Sequence, residues 1–337
     1  MTPDEIRTAR ALQHRARARD FADAHGISEA ALVAAFTGPD CVRIDAAPDR
    51  LMPLLMGLGQ ALALTRNDSA VQERQGRYVS YEPGDETAVV RGPEIELRLA
   101  PAHWVHAFAV TEPTAKETKR SIQVFDAAGD AVHKIHLTED SNVEAFERLT
   151  GALRLPMQPD SLRLAPRAAP RGVTGDPARL AELQAGWEAQ PDEAAFRRFL
   201  GNLGMSTLFA LRGAGAPRTR RLAPEAVTEL LERASAGKVE LVIRSGNPGC
   251  QQVYSGPVER ILPAGYWINV MDPRFNLHLR TDHLAEVWLV DRPGRGGRAV
   301  SVEAFDAGGE AILHVSGRHP GADWTALAAG LTSDAEA

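Results

Sequence analysis

Between Ile95 and Leu137 the chain alternates apolar and polar side chains in short runs. Ile95, Leu97 and Leu99 fall on one side of an extended segment, and Glu96, Arg98 and Ala100 on the other. The same alternation returns 180 residues later with no gap: Phe275, Leu277 and Leu279 oppose Asn276, His278 and Arg280. Over Ile95–Leu137 and Phe275–Gly317, 11 of 43 aligned positions are identical, including Phe125/Phe305, Asp126/Asp306, Gly129/Gly309 and Ala131/Ala311. Composition alone would give about three. A constant offset with matching alternation marks an internal repeat, and its period is too long for a solenoid, so it predicts a duplicated domain.

The repeat reaches upstream. Gln60–Tyr78 matches Glu240–Val258 at the same offset, with Asn67/Asn247 and Gly76/Gly256 at turn-like places. Residues 4–36 read as helical. Gly26 followed by Ile27-Ser28-Glu29 restarts a helix with Ser28 as N-cap, and Gly204-Met205-Ser206 repeats that punctuation. Leu54–Leu64 reads as a helix or a helix running into a strand, with the β pattern in force from Ala61. A helix beginning near Pro191 presents Phe196, Phe199, Leu200 and Leu203 as its apolar stripe, with Ala194, Arg198 and Gly201 opposite. Each half is thus a few helices followed by strands and short turns. This predicts an α+β fold in tandem duplication, each half carrying a large, mainly antiparallel sheet. The expected boundaries are 1–150 for the first repeat and 180–337 for the second, joined by a Pro-, Arg- and Gly-rich linker over 151–179.

The 337 residues suffice for two cores, and 44% apolar with 24% charged residues is ordinary for a globular protein. A net charge of −6 argues against broad nucleic-acid binding. Two cysteines, Cys41 and Cys250, give no disulfide framework and suit a reducing cytosol. The charged N-terminus shows no signal peptide, and Leu51–Leu64 is too short and too interrupted by glycine to span a bilayer, so the expected location is cytoplasmic.

Candidate chemistry is sparse. His103/His106 and His133/His136 have HxxH spacing in strand-like sequence, where residues three apart face opposite ways, so neither pair chelates one ion. There is no phosphate loop, GxSxG or CxxC motif. Asp126-Ala-Ala-Gly129 and Asp306-Ala-Gly-Gly309 read as turns. Arg98 and its repeat equivalent His278 share the polar strand face, a placement equally met by a solvent-exposed sheet face.

LTRNDSAVQERQGRY, ELRLAPAHWVHAFAV, GPVERILPAGYWINVMDPRFNLHLR and VEAFDAGGEAI, taken with the duplication, resemble the HemS/HmuS/ChuS-type haemin-utilisation family of bacterial haem uptake. The resemblance covers nearly the whole chain. It implies a tandem helix-and-sheet fold with haem as ligand, Arg98 on its distal side and Arg292 and Arg318 near its propionates. It also exposes departures. The segment Trp187–Phe196 stands where the family carries a haem-ligating histidine, and that histidine is Ala194 here. The arginine of the following family motif is Thr207, and an aromatic beside the strand arginine is Ala100. Substitute axial ligands would come from His103, His278, Met205 or Tyr266.

Three readings follow from the resemblance. The first is a cytoplasmic haem-binding and trafficking protein of bacterial iron acquisition, with a haem oxygenase as the family's usual delivery partner. The second is a diverged paralogue without haem function that serves as a binding or interaction module. The third is a haem-degrading enzyme, which would need a defined iron ligand and is opposed by Ala194.

Overall fold

In the computed structural model, residues 1–294, 297–319 and 321–334 are described. The first half of the chain runs α1 (Pro3–Leu12), α2 (Ala18–Ala24), α3 (Glu29–Ala34), β1 (Cys41–Ile44), α4 (Pro48–Leu55), β2 (Gly59–Arg66), β3 (Ala70–Arg77), β4 (Ser80–Glu82), β5 (Ala88–Arg91), β6 (Glu96–Leu99), β7 (His106–Pro113), β8 (Thr118–Phe125), β9 (Ala131–Ser141) and α5 (Val143–Leu153). The second runs α6 (Leu180–Gly186), α7 (Glu193–Leu203), α8 (Thr207–Ala214), β10 (Thr219–Leu222), α9 (Ala226–Gly237), β11 (Leu241–Asn247), β12 (Cys250–Gly256), β13 (Ile261–Ala264), β14 (Trp267–Asp272), β15 (Phe275–Arg280), β16 (Glu286–Gly294), β17 (Gly297–Phe305), β18 (Ala311–Gly317) and α10 (Ala322–Ala329). The duplicated α+β architecture expected from the repeat is present.

The elements form two compact units. Unit 1 comprises Met1–Arg66, Gln72–Ala168 and Gly246–Val253; unit 2 comprises Asn67–Val71, Ala169–Ser245 and the chain from Tyr254. Each unit therefore contains a short segment from the other half of the sequence. Residues 151–168 pack with unit 1 and 169–179 with unit 2.

In unit 1, antiparallel strands run in the order β1-β7-β8-β9-β2-β3, and a second set β4-β5-β6 is extended by Cys250–Val253. Cross-strand register places Ala109, Ile122, Ile135 and Ala63 side by side in one buried row. Unit 2 repeats the arrangement as β10-β16-β17-β18-β11, and its equivalent row is Leu289, Val302, Val315 and Ile243. Every member of the second row lies 180 positions after its counterpart, so the duplication preserved strand register and not merely strand order. Register is fixed because a one-residue slip would turn each buried row outward. In unit 1, Leu51 and Leu55 of α4 and Phe146, Leu149 and Leu153 of α5 share a core with Ile122 and Ile135. Burial of each large aliphatic side chain contributes about 1.5–3 kcal/mol.

Local signals mostly hold. The Ser28 and Ser206 hydroxyls accept from the backbone N–H groups of Ala31 and Phe209 as N-caps. Ser206→Ala is expected to cost about 1 kcal/mol, visible as a lowered Tm with no change in the far-UV spectrum of the folded state. The Asp126 turn is as read: its Oδ1 accepts from the N–H groups of Ala128 and Asp130 at 2.9 Å, and Gly129 takes φ 85°. A Cβ on Gly129 would lie 2.3 Å from the Ser28 hydroxyl, so the cap and the turn require each other.

Three expectations need correction. Gly76 lies inside β3 rather than in a turn. Pro191 precedes the helix instead of starting it; Asp192 is the N-cap of α7 and accepts from Ala195 N–H at 2.9 Å, an acidic side chain at a positive helix end. His103 sits in a short 3₁₀ turn, Pro101–His103, and not in a strand.

Candidate functional site

In unit 1, the β6 face opposite the core carries Arg98. Ile95, Leu97 and Leu99 are completely buried, as the alternation predicts, while Arg98 is half-buried between Val89 of β5 and Gln251 of β12. Among the described residues Arg98 makes no side-chain hydrogen bond or ion pair. Its guanidinium thus keeps all five donors available to a carboxylate. Ala100 follows the strand and hydrogen-bonds through its N–H to Gly249 O at 3.0 Å. His103 is exposed.

Behind that sheet lies a closed polar network. Thr65 donates to Gln252 Oε1 at 2.9 Å, so its hydroxyl can only accept from His133 Nδ1, 2.8 Å away. His133 is therefore the neutral Nδ1–H tautomer, and its Nε2 accepts from the Tyr78 hydroxyl at 2.8 Å. Cys250 Sγ lies 3.6 Å from Thr65 Oγ1. Burial pushes the His133 pKa down to about 3, with His136 adding to the shift, and pushes the Cys250 thiol up to about 12. These are not the groups of a titrating active centre at neutral pH. His136 faces away from the network, so the HxxH pair does not converge. No group of three His, Cys, Asp or Glu side chains suited to a metal occurs among the described residues.

Also in unit 1, Glu29 in the first turn of α3 is 7% exposed and receives two cations, Arg66 and, at 2.5 Å, Lys134 Nζ. Burial, then the neighbouring Arg66 charge, pushes Lys134 down to about 7.

In unit 2, α7 buries Phe196, Leu200 and Leu203, half-buries Phe199, and exposes Ala194, Arg198 and Gly201. Trp187 is fully buried just before it, donating from Nε1 to Asp291 O at 3.0 Å and meeting the Phe196 ring edge-on at 4.7 Å. Beneath the helix runs a chain of charges. Glu193 of α7 pairs with Arg244 of β11 at 3.6 Å. Arg244 Nη1 is 3.1 Å from His314 Nδ1 on β18, and His314 Nε2 is 3.7 Å from Glu303 on β17. Glu303 pairs in turn with Arg292 of β16 and accepts from the Ser301 hydroxyl at 3.2 Å. Arg292 is 9% exposed, lies 4.5 Å over the Phe196 ring, and has a buried Nε–H without an acceptor among the described residues. Burial lowers the His314 pKa, opposed by Glu303. None of these partners of Arg292 was legible beforehand.

The remaining expected site residues of unit 2 are dispersed. Arg318 is exposed and pairs with Glu240 at 3.1 Å, and His319 approaches the same carboxylate at 3.4 Å. Thr207 is the exposed first residue of α8, and Met205, 6% exposed, packs in the core under it. His278 Nδ1 is 2.7 Å from Asn269 Oδ1 on the adjacent strand, and Tyr266 is 69% exposed in a hairpin turn.

Comparison with known proteins places this geometry. The Haemin-degrading HemS.ChuX domain matches residues 26–153 and again 204–331. The chain belongs to that family. It is 34% identical over 304 residues to the hemin transport protein HmuS of Yersinia pestis, covering 89% of this chain and 87% of HmuS. HemS of Yersinia enterocolitica, another hemin transport protein, is 34% identical over 302 residues with the same coverage. Among solved structures, holo-PhuS, a heme-binding protein from Pseudomonas aeruginosa, superposes with TM-score 0.94 at 38% identity, over 99% of this chain and all of PhuS. The heme-degrading enzyme ChuS of Escherichia coli O157:H7 gives TM-score 0.87 at 26% identity, over 96% and 97% of the two chains. No helix among the described residues is long and apolar enough to cross a membrane.

Proposed function

We propose that this protein binds haem or a closely related tetrapyrrole and carries it in the cytoplasm during bacterial iron acquisition. The carrying observation is the near-complete superposition on holo-PhuS at 38% identity, a protein described as heme-binding. Arg98 fits the role of a carboxylate-facing or distal-side donor, because it is half-buried and has no side-chain partner among the described residues. Arg292 and Arg318 are the further cationic candidates. Haem is cargo in this reading, and a haem oxygenase is the proposed recipient. Haem degradation by this chain is the weaker proposal, since an exposed Ala194 offers the iron no ligand.

A second reading, a diverged family member with another ligand or partner, is favoured by one observation: Arg292 and Arg318 are already paired, to Glu303 and Glu240. Titration of the purified apo-protein with haemin, followed at the Soret band, separates the two. The haem-carrier reading predicts saturation at one haem per chain and about tenfold weaker binding for Arg98→Ala. A specific complex seen only with Ala194→His would overturn it in favour of the second reading.

A further inference from the structure

In unit 1, the face of the β1-β7-β8-β9-β2-β3 sheet that turns away from the core changes character along β9. Ala63, Ile122 and Ile135 point into the core, so their neighbours Leu62, Ser121 and His136 lie on the other face. Register sets Leu62 of β2 directly beside His136 of β9, and Leu64 beside Lys134. At Lys134 this face is closed, because Glu29 of α3 answers both Lys134 and Arg66. One step further, Leu62, Leu64 and His136 are only half-buried, and neither leucine belongs to a core cluster of this unit. The His136 imidazole makes no hydrogen bond or ion pair among the described residues. Burial, then the Lys134 charge, pushes its pKa down to about 4, so at neutral pH the ring is uncharged, the form that ligates a metal. Lys119, two residues before Ser121 and therefore on the same face of β8, is exposed and also makes no hydrogen bond or ion pair among the described residues.

We propose that this face of unit 1 is a second, weaker haem site, with His136 as the iron ligand, Leu62 and Leu64 under the macrocycle and Lys119 toward a propionate. The proposal rests on the tetrapyrrole reading above and adds a place and a ligand that reading does not contain. One nitrogen donor does not hold a bare ion, and no group of three His, Cys, Asp or Glu side chains stands here among the described residues. Haem iron arrives with four ring nitrogens of its own, so a single protein ligand suffices. The half-exposed leucines supply what a flat apolar ring needs, and the ammonium what a carboxylate needs. The pattern belongs to unit 1 alone. In unit 2 the positions 180 residues after Leu62, Leu64 and His136 are Val242, Arg244 and Ser316, and Arg244 is held by Glu193.

The experiment titrates haemin into the full-length apo-protein, in wild type, His136→Ala and His103→Ala, and follows the Soret band and the resonance Raman spectrum of the reduced complex. The expected result in wild type is a second, weaker haemin equivalent above the single one of the carrier site, and an iron–imidazole stretching band that grows in with it. His136→Ala is expected to weaken this second equivalent at least about tenfold and to remove its band, with the first equivalent unchanged and His103→Ala like wild type. Saturation of wild type at one haemin per chain, or a second equivalent with the same band in His136→Ala, overturns the proposal and leaves the carrier reading intact. A wild type that binds no haemin overturns both. If His136→Ala does not fold, wild type still decides. Diethyl pyrocarbonate acylates neutral imidazoles, and the second haemin equivalent is expected to shield His136 from it, as read by mass spectrometry; an unshielded His136 overturns the proposal.

Discussion

Acidification from pH 7 to 4.5 is expected to unfold this protein. His133 is buried neutral with its pKa pushed down to about 3, and His136 is pushed down to about 4, both chiefly by burial, from an ordinary value of 6.5. In the unfolded chain each binds its proton near the ordinary value. The unfolded state therefore holds more protons once pH drops below about 6.5, and stability is lost at about 1.4 kcal/mol per pH unit per group until the folded pKa is reached. Their contribution is complete above the ordinary value and gone by the folded one. By pH 4.5 the two imidazoles together remove about 5 kcal/mol, comparable with the whole stability of many domains. His314, also shifted down by burial, acts in the same direction. Near-UV circular dichroism across this range should show a cooperative loss of tertiary signal with a midpoint between about pH 4 and 5. His133→Gln keeps a donor and an acceptor but cannot titrate, and its midpoint should move to lower pH. A fold intact at pH 3.5, or a midpoint untouched by that substitution, contradicts the burial argument.

The second large effect concerns Glu29. Glu29→Ala is expected to destabilise the native state by about 3–5 kcal/mol, because the substitution strands two cations around a nearly dry site. Their fates differ. Lys134, already pushed down to about 7, can shed its proton and become a tolerable neutral amine. Arg66 cannot, since a guanidinium stays charged at any accessible pH, so most of the loss falls on Arg66. Urea denaturation of Glu29→Ala, Arg66→Met and the double variant tests this assignment. The double variant should recover much of what Glu29→Ala loses, with a coupling of at least 2 kcal/mol; additive losses would show that the pair is not acting as one.

Much of this architecture was written in periodicity. The alternation at Ile95–Leu99 and its copy at Phe275–Leu279 predicted which side chains are buried, because a strand with one wet face can satisfy only one phase. Ser28 and Ser206 announced helix starts through chemistry confined to four residues. What failed was either conformationally permissive or long-range. Gly76 reads as a turn because glycine tolerates any backbone state, yet it continues β3. Glu29 is legible only as part of a helix restart; folding brings Lys134, 105 residues away, against it. Arg292 carried no mark of its pairing with Glu303, since nothing local distinguishes a cation that awaits a ligand from one already answered. The family resemblance pointed at Arg98, which makes no side-chain hydrogen bond or ion pair among the described residues.

The placement of Gly246–Val253 within unit 1 bears on how such a gene is inherited. Gln252 and Thr65 complete one buried hydrogen bond across 187 positions, and Cys250 belongs to the same core as Ile122. A recombination event severing the coding sequence at the linker would yield an N-terminal product lacking part of its own interior. A substitution at position 252 that removes the amide leaves the buried Thr65 hydroxyl without this acceptor, so the two halves of the sequence share one interior. Each unit is therefore completed by chain from the other half, and neither half of the sequence encodes a whole unit by itself.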